Sequence, residues 1–102
     1  MSLNKRYLKS KDVCKVTFKL PKEAAHSAKH VHLVGDFNDW SVRANPMKKL
    51  KSGEFSATLD LEAGRQYQYR YLLDDHTWEN DWNADEYVRT PFGDSDNSVV
   101  VV

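Results

Sequence analysis

The chain carries a single cysteine, Cys14, so it cannot close an intramolecular disulfide. Its stability must come from a packed core, and a lone thiol suits a reducing compartment; the expected setting is cytoplasmic. No apolar run is long enough to span a bilayer, no secretory leader is legible, and no N-x-S/T sequon occurs. Charge of one sign is missing too: fifteen basic and fifteen acidic residues cancel, leaving no global field to draw in nucleic acid or anionic lipid. Neither partner is expected. Catalytic signatures are equally absent. There is no G-x-S-x-G elbow and no H-E-x-x-H pair, and Cys14 has no flanking nucleophile motif. His26 and His30 are four apart without the zincin glutamate, and "DSDN" (94–97) lacks the spaced ligands of a calcium loop. No metal and no cofactor is expected. At 102 residues the chain is one domain with a modest core, too short for a catalytic barrel.

What is present is alternation. Val16, Phe18 and Leu20 alternate with Lys15, Thr17 and Lys19 until Pro21 ends the run. Val31 and Leu33 lead to Gly35. Phe55, Ala57, Leu59 and Leu61 alternate with polar partners, and Tyr67, Tyr69 and Tyr71 alternate with Gln66, Gln68 and Arg70. Period-2 patterns of this kind mark strands with one buried face. Turn signals punctuate them at Gly35, Asn45-Pro46, Ser52-Gly53, Ala63-Gly64, Asp74-Asp75 and Pro91-Phe92-Gly93. The expected fold is therefore all-β, a sandwich of about seven short, mainly antiparallel strands. Only "PKEAAHSAKH" (21–30) has helical composition, and its length suits a loop or one helical turn. If the tyrosines face inward, Gln68 and Arg70 face out.

Charge is unevenly placed along this frame. Lys5, Arg6, Lys9, Lys11 and Lys15 crowd the first stretch, whereas eight acids lie between Asp74 and Asp96. Both runs read as solvated surface, with no sign of the buried acid pair that hydrolysis would need. The four-valine end, Val99–Val102, would leave a sticky sheet edge if nothing covered it, so a monomer or a weak homodimer is expected.

Tryptophan is where the pattern breaks. Trp40 sits in "GDFNDWS", and Trp78 and Trp82 sit in "DDHTWENDWN", among polar and charged neighbours. Each could cap the core, being amphipathic. Equally, indole faces beside amide and guanidinium donors suit sugars, whose C–H faces stack and whose hydroxyls need planar partners.

Four stretches then carry a resemblance: "VHLVGDFNDWS", "GEFSATLDLEAGRQYQYRYLLDD", "TWENDWNAD" and "NSVVVV". Together, from about Lys15 to Val102, they resemble the family 48 carbohydrate-binding module. That domain lies N-terminal to isoamylases and glycogen-branching enzymes, and is the glycogen-binding domain of the AMP-activated protein kinase β subunit. The resemblance implies an immunoglobulin-like sandwich over 15–102, preceded by a basic segment, 1–14, that is partly a strand or an arm. It implies non-catalytic binding of α-1,4-glucan, as glycogen, starch or maltooligosaccharide. By position Trp40 and Trp78 match the two stacking tryptophans, Arg70 the lysine of the tyrosine strand, and Asn97 the asparagine before the last strand. Gln68 and Asn38 are further candidates, although Asn38 more naturally organises its own turn. Trp82 has no counterpart in the kinase-type site; it either extends the platform or packs beneath the long loop, with packing favoured. The alternative reading is a protein-interaction module docking an amylolytic enzyme or a kinase-like partner, with sugar binding weakened or lost.

Overall fold

Alternation becomes strand pairing in the computed structural model, which describes residues 3–90 and 95–102. The turn expected at Pro91-Phe92-Gly93, and Asp94, lie outside the described residues. Nine strands form among the rest: β1 (Leu3–Tyr7), β2 (Val13–Leu20), β3 (Val31–Gly35), β4 (Lys48–Lys49), β5 (Phe55–Glu62), β6 (Gln66–Leu73), β7 (Thr77–Glu79), β8 (Glu86–Arg89) and β9 (Asp96–Val101). One antiparallel sheet runs β1-β2-β5-β4 and the other β3-β6-β9-β8, with β7 pairing β6 where β9 leaves it. The fold is the expected all-β sandwich. Its extra strands, β4 and β7, are two and three residues long, too short to show a period.

The inward sets of the two sheets make the core. Phe18, Leu20, Leu33, Phe55, Tyr69 and Tyr71 are almost fully buried, and Cys14 is a small core residue among them. Burying one such aliphatic or aromatic side chain contributes about 1.5–3 kcal/mol. Aromatic rings meet edge-on at the centre: Phe18 and Tyr69 lie 5.1 Å apart at 74°, Tyr69 and Tyr71 5.9 Å apart at 81°. Edges meeting faces in this way add attraction beyond the area they bury.

Two points that the sequence left open are decided here. Segment 21–30 forms no helix; Ala24 and Ala28 donate to Pro21 and Ala25 carbonyls at 3.0 and 2.8 Å in successive turns. His26 and Ser27 adopt φ of 48° and 64°, which ends any helical path, while Ala24, Ala25 and Ala28 still reach the core. The valine run is no sheet edge. β9 is paired on one side by β6 and on the other by β8, so its main chain offers no free ladder.

The acidic stretch is not uniformly solvated either. Asp81 is 1% exposed, and its Oδ2 accepts hydrogen bonds from the Tyr69 and Tyr71 hydroxyls at 2.6 and 3.4 Å. Burial, reinforced by nearby tyrosine and Asp81 charge, pushes both phenols far above their ordinary pKa, so they remain donors. The Asp81 main-chain N–H donates to Ser98 Oγ at 2.9 Å, and Ser98 Oγ donates to Asn80 Oδ1 at 2.8 Å. This polar pin ties the segment after β7 to β9. At the other end of the charge asymmetry, Lys5 of β1 pairs with Asp85 at 2.6 Å.

Candidate functional site

β6 runs through the middle of its sheet, and its outward residues organise the site. Gln68 sits opposite Val99 on β9, Arg70 opposite Val34 on β3, and Leu72 opposite Trp78 on β7. Residues paired across antiparallel strands point the same way, so all six belong to the outer face, away from Tyr69 and Tyr71. Val34, Leu72 and Val99 are buried there although they stand outside the sandwich core. Their burial requires cover, and the register puts Arg70, Trp78 and Gln68 beside them. The outer face therefore has an apolar floor.

Trp40 arrives from the "GDFNDW" turn. A single 3-10 turn, Asp36–Asn38, follows β3, and then Asp39 and Trp40 take left-handed φ of 55° and 58°. Such values are costly for a bulky side chain and persist only where the surroundings enforce them. Several contacts do so. The Trp40 N–H donates to the Gly35 carbonyl at 2.8 Å. Asn38 Nδ2 donates to Leu33 O at 3.0 Å and Asn45 Oδ1 at 2.7 Å, while Asn38 Oδ1 accepts the Gly35 N–H at 3.2 Å. Gly35 has no room for a side chain: a Cβ would lie 2.5 Å from the Gln68 carbonyl oxygen. The turn splits its two aromatics. Phe37 goes inward, 5.5 Å from Phe18 and 6.1 Å from Tyr67, and Trp40 goes outward.

These elements enclose an open cavity of about 550 Å³ lined by Trp40, Gln68, Arg70, Trp78, Thr90, Ser95 and Asn97. Trp78 is 44% exposed and Trp40 half-buried. Asn97 Nδ2 donates to Gln68 Oε1 at 3.0 Å, joining β9 to β6 in the wall. Arg70 Nε is buried without a hydrogen-bond partner among the described residues. Thr90 N–H donates to Ser95 O at 2.9 Å, bringing both ends of the intervening segment to the rim. The surface offers two flat aromatic faces, one permanent positive charge and several amide and hydroxyl groups.

Five of the seven residues expected from the sequence, Trp40, Gln68, Arg70, Trp78 and Asn97, thus line one cavity. Asn38 and Trp82 do not. Asn38 spends its amide on its own turn, as above. Trp82 is 51% exposed and stands outside the cavity, which corrects the reading that it packs beneath the loop. The chain turns the Asp81 carboxylate inward there, and its neighbour Trp82 is left in solvent. Thr90 and Ser95 were missed; their only signal was that they flank a Pro-Phe-Gly turn. Asp36 was missed as well: its Oδ1 accepts the Trp40 indole N–H at 2.8 Å and its Oδ2 accepts the Gln68 N–H at 2.8 Å.

A small β-sandwich that carries an open aromatic cavity on one outer face has the form of a binding module. The chain belongs to the carbohydrate-binding module 48 family (isoamylase N-terminal domain), whose model matches residues 10–91. Modules of this family are non-catalytic, and so is this one. The match ends before Ser95 and Asn97, which the fold nonetheless brings to the same cavity. No curated protein matches the chain.

Proposed function

We propose that the module binds α-1,4-glucan, as glycogen, starch or maltooligosaccharide, across the face formed by Trp40 and Trp78. The observation that carries this reading is convergence: two tryptophans 38 positions apart in a 102-residue chain line one cavity with Arg70, Gln68 and Asn97. Each indole supplies an apolar plane that sheds water when a pyranose C–H face covers it. The buried Arg70 Nε–H gains a partner when a sugar oxygen reaches it, recovering about 1–3 kcal/mol otherwise lost to an unsatisfied donor. Gln68 and Asn97, already bonded to each other, offer their remaining amide groups to hydroxyls. An open site of this size binds weakly, with a Kd in the micromolar to millimolar range, about 4–8 kcal/mol.

The family's own description links the module to isoamylases, so we infer service beside an amylolytic enzyme, holding glucan near that enzyme's active site. A cytoplasmic setting fits the lone, buried thiol of Cys14. The test is co-sedimentation with insoluble starch or glycogen, followed by maltoheptaose titration read by tryptophan fluorescence. Saturable binding that is lost in Trp40→Ala and Trp78→Ala supports the reading. No binding at tens of millimolar sugar, or binding indifferent to both substitutions, refutes it.

A further inference from the structure

We propose that Asp36 is the positioning residue of this site, holding the Trp40 indole in the plane that a sugar stacks on. The proposal rests on the glucan reading above for its ligand, but its structural half stands on the free protein. Both carboxylate oxygens of Asp36 are committed to the site: Oδ1 to the Trp40 indole N–H and Oδ2 to the Gln68 main-chain N–H, each at 2.8 Å. Asp36 therefore links two elements 32 residues apart, the turn that delivers Trp40 and the strand that forms the wall. Gln68 in turn accepts from Asn97 of β9, so three of the cavity's residues share one chain of hydrogen bonds.

The bond matters because of where Trp40 sits. Its main chain, at φ 58°, is fixed by the turn, but the side-chain torsions of a half-exposed indole are not fixed by packing alone. A hydrogen bond from Nε1 restrains them and removes most of the ordering cost before the ligand arrives. It also decides how Trp40 recognises a ligand. With its N–H donated to Asp36, the indole offers a ring face and no donor, so the hydroxyl partners come from the polar lining residues, Arg70, Gln68 and Asn97 among them.

Carboxylate chemistry is required at this position. Both partners of Asp36 are N–H donors, so the acceptor needs two oxygens; in Asp36→Asn the amide group faces one donor in either orientation. Asp36→Asn should keep one of the two bonds and Asp36→Ala neither.

The experiment uses the whole chain in five forms: wild type, Asp36→Asn, Asp36→Ala, Trp40→Ala, and Asp36→Ala combined with Trp40→Ala. Maltoheptaose affinity is measured for each, with urea midpoints recorded to separate folding from binding. Affinity is expected to fall about threefold in Asp36→Asn and about tenfold in Asp36→Ala, the range set by freeing one ordered side chain. No further loss is expected when Asp36→Ala is added to Trp40→Ala, because the effect passes through the indole. A second readout needs no ligand: solvent exchange of the Trp40 indole N–H, slow in the wild type and fast in Asp36→Ala. Equal affinity of Asp36→Ala and wild type, or an equal loss with and without Trp40, overturns the proposal. If the wild type binds no glucan, the function above fails, and indole exchange still decides positioning: unchanged exchange in Asp36→Ala overturns it, faster exchange upholds it.

Discussion

The segment 21–28 and the hairpin at 49–53 enclose a cavity of about 670 Å³, slightly roomier than the 550 Å³ lined by the two tryptophans. Their chemistries are opposed. The first is lined by Lys22, Lys49 and Lys51, with Glu23 and His26, and its one aromatic, Phe55, is 2% exposed with Lys49 Nζ 5.9 Å above the ring. The second has one permanent charge, Arg70, and two indoles open to solvent. A lysine ammonium is a strongly hydrated point charge, and a neutral sugar gains little by displacing that water. An indole face is poorly hydrated and gains on being covered. Volume does not separate these cavities; the kind of surface does.

The support beneath the two cavities differs as well. The tryptophan side rests on the buried Asp81 pin, whereas the lysine side is held by turns and by Asp74, whose Oδ1 accepts the Lys29 and His30 N–H groups at 2.9 Å each. Asp81→Ala should therefore cost the most of any change considered. It leaves two buried tyrosine hydroxyls without an acceptor, and unfolding by urea should show a loss of about 3 kcal/mol. Trp40→Ala and Trp78→Ala come next, each weakening maltoheptaose binding by about 2 kcal/mol, roughly thirtyfold, with the urea midpoint little changed for the exposed Trp78. Arg70→Ala should cost about 1.5 kcal/mol of affinity in the same titration, near tenfold.

Smaller effects sharpen the contrast. Hydrogen bonds from the His30 N–H, then the Lys29 N–H, hold the Asp74 carboxyl below its ordinary 3.8 against a lesser opposing cost of burial. Its contribution to stability is complete above that ordinary value and is lost as pH falls through the lowered one. Asp74→Ala should thus lose stability less steeply than wild type in acid below pH 3.8, as thermal melts across that range would record. Lys49→Ala and Trp82→Ala should leave glucan affinity within about twofold, since surface changes away from a site act weakly. A large effect of Lys49→Ala would collapse the distinction between the cavities.

Much of the frame was legible in the sequence because it is periodic. The alternation around Phe18, Phe55 and Tyr69 is a local signal, and it assigned the inward tyrosines and the outward Arg70 before any pairing was known. Trp40 was legible as an oddity in a polar turn, and Trp78 and Asn97 through the family pattern. The rest depends on contacts between distant residues. Asp36 reaches Gln68 across 32 positions and Asp81 reaches Tyr69 across 12, so neither role is legible until the sheets assemble. Trp82 shows the converse: its sequence neighbourhood resembles that of Trp78, yet Trp78 pairs through β7 onto β6 and Trp82 belongs to no strand. The cover of the valine run was not legible for the same reason, because β8 is four exposed residues without alternation.

The claim that one aromatic face does the binding is tested most directly by following the three indole N–H resonances while maltoheptaose is added. The resonances of Trp40 and Trp78 should shift together and saturate with a single Kd, while that of Trp82 stays in place. Shifts confined to Trp82, or to amides of the lysine-lined cavity, would contradict the account.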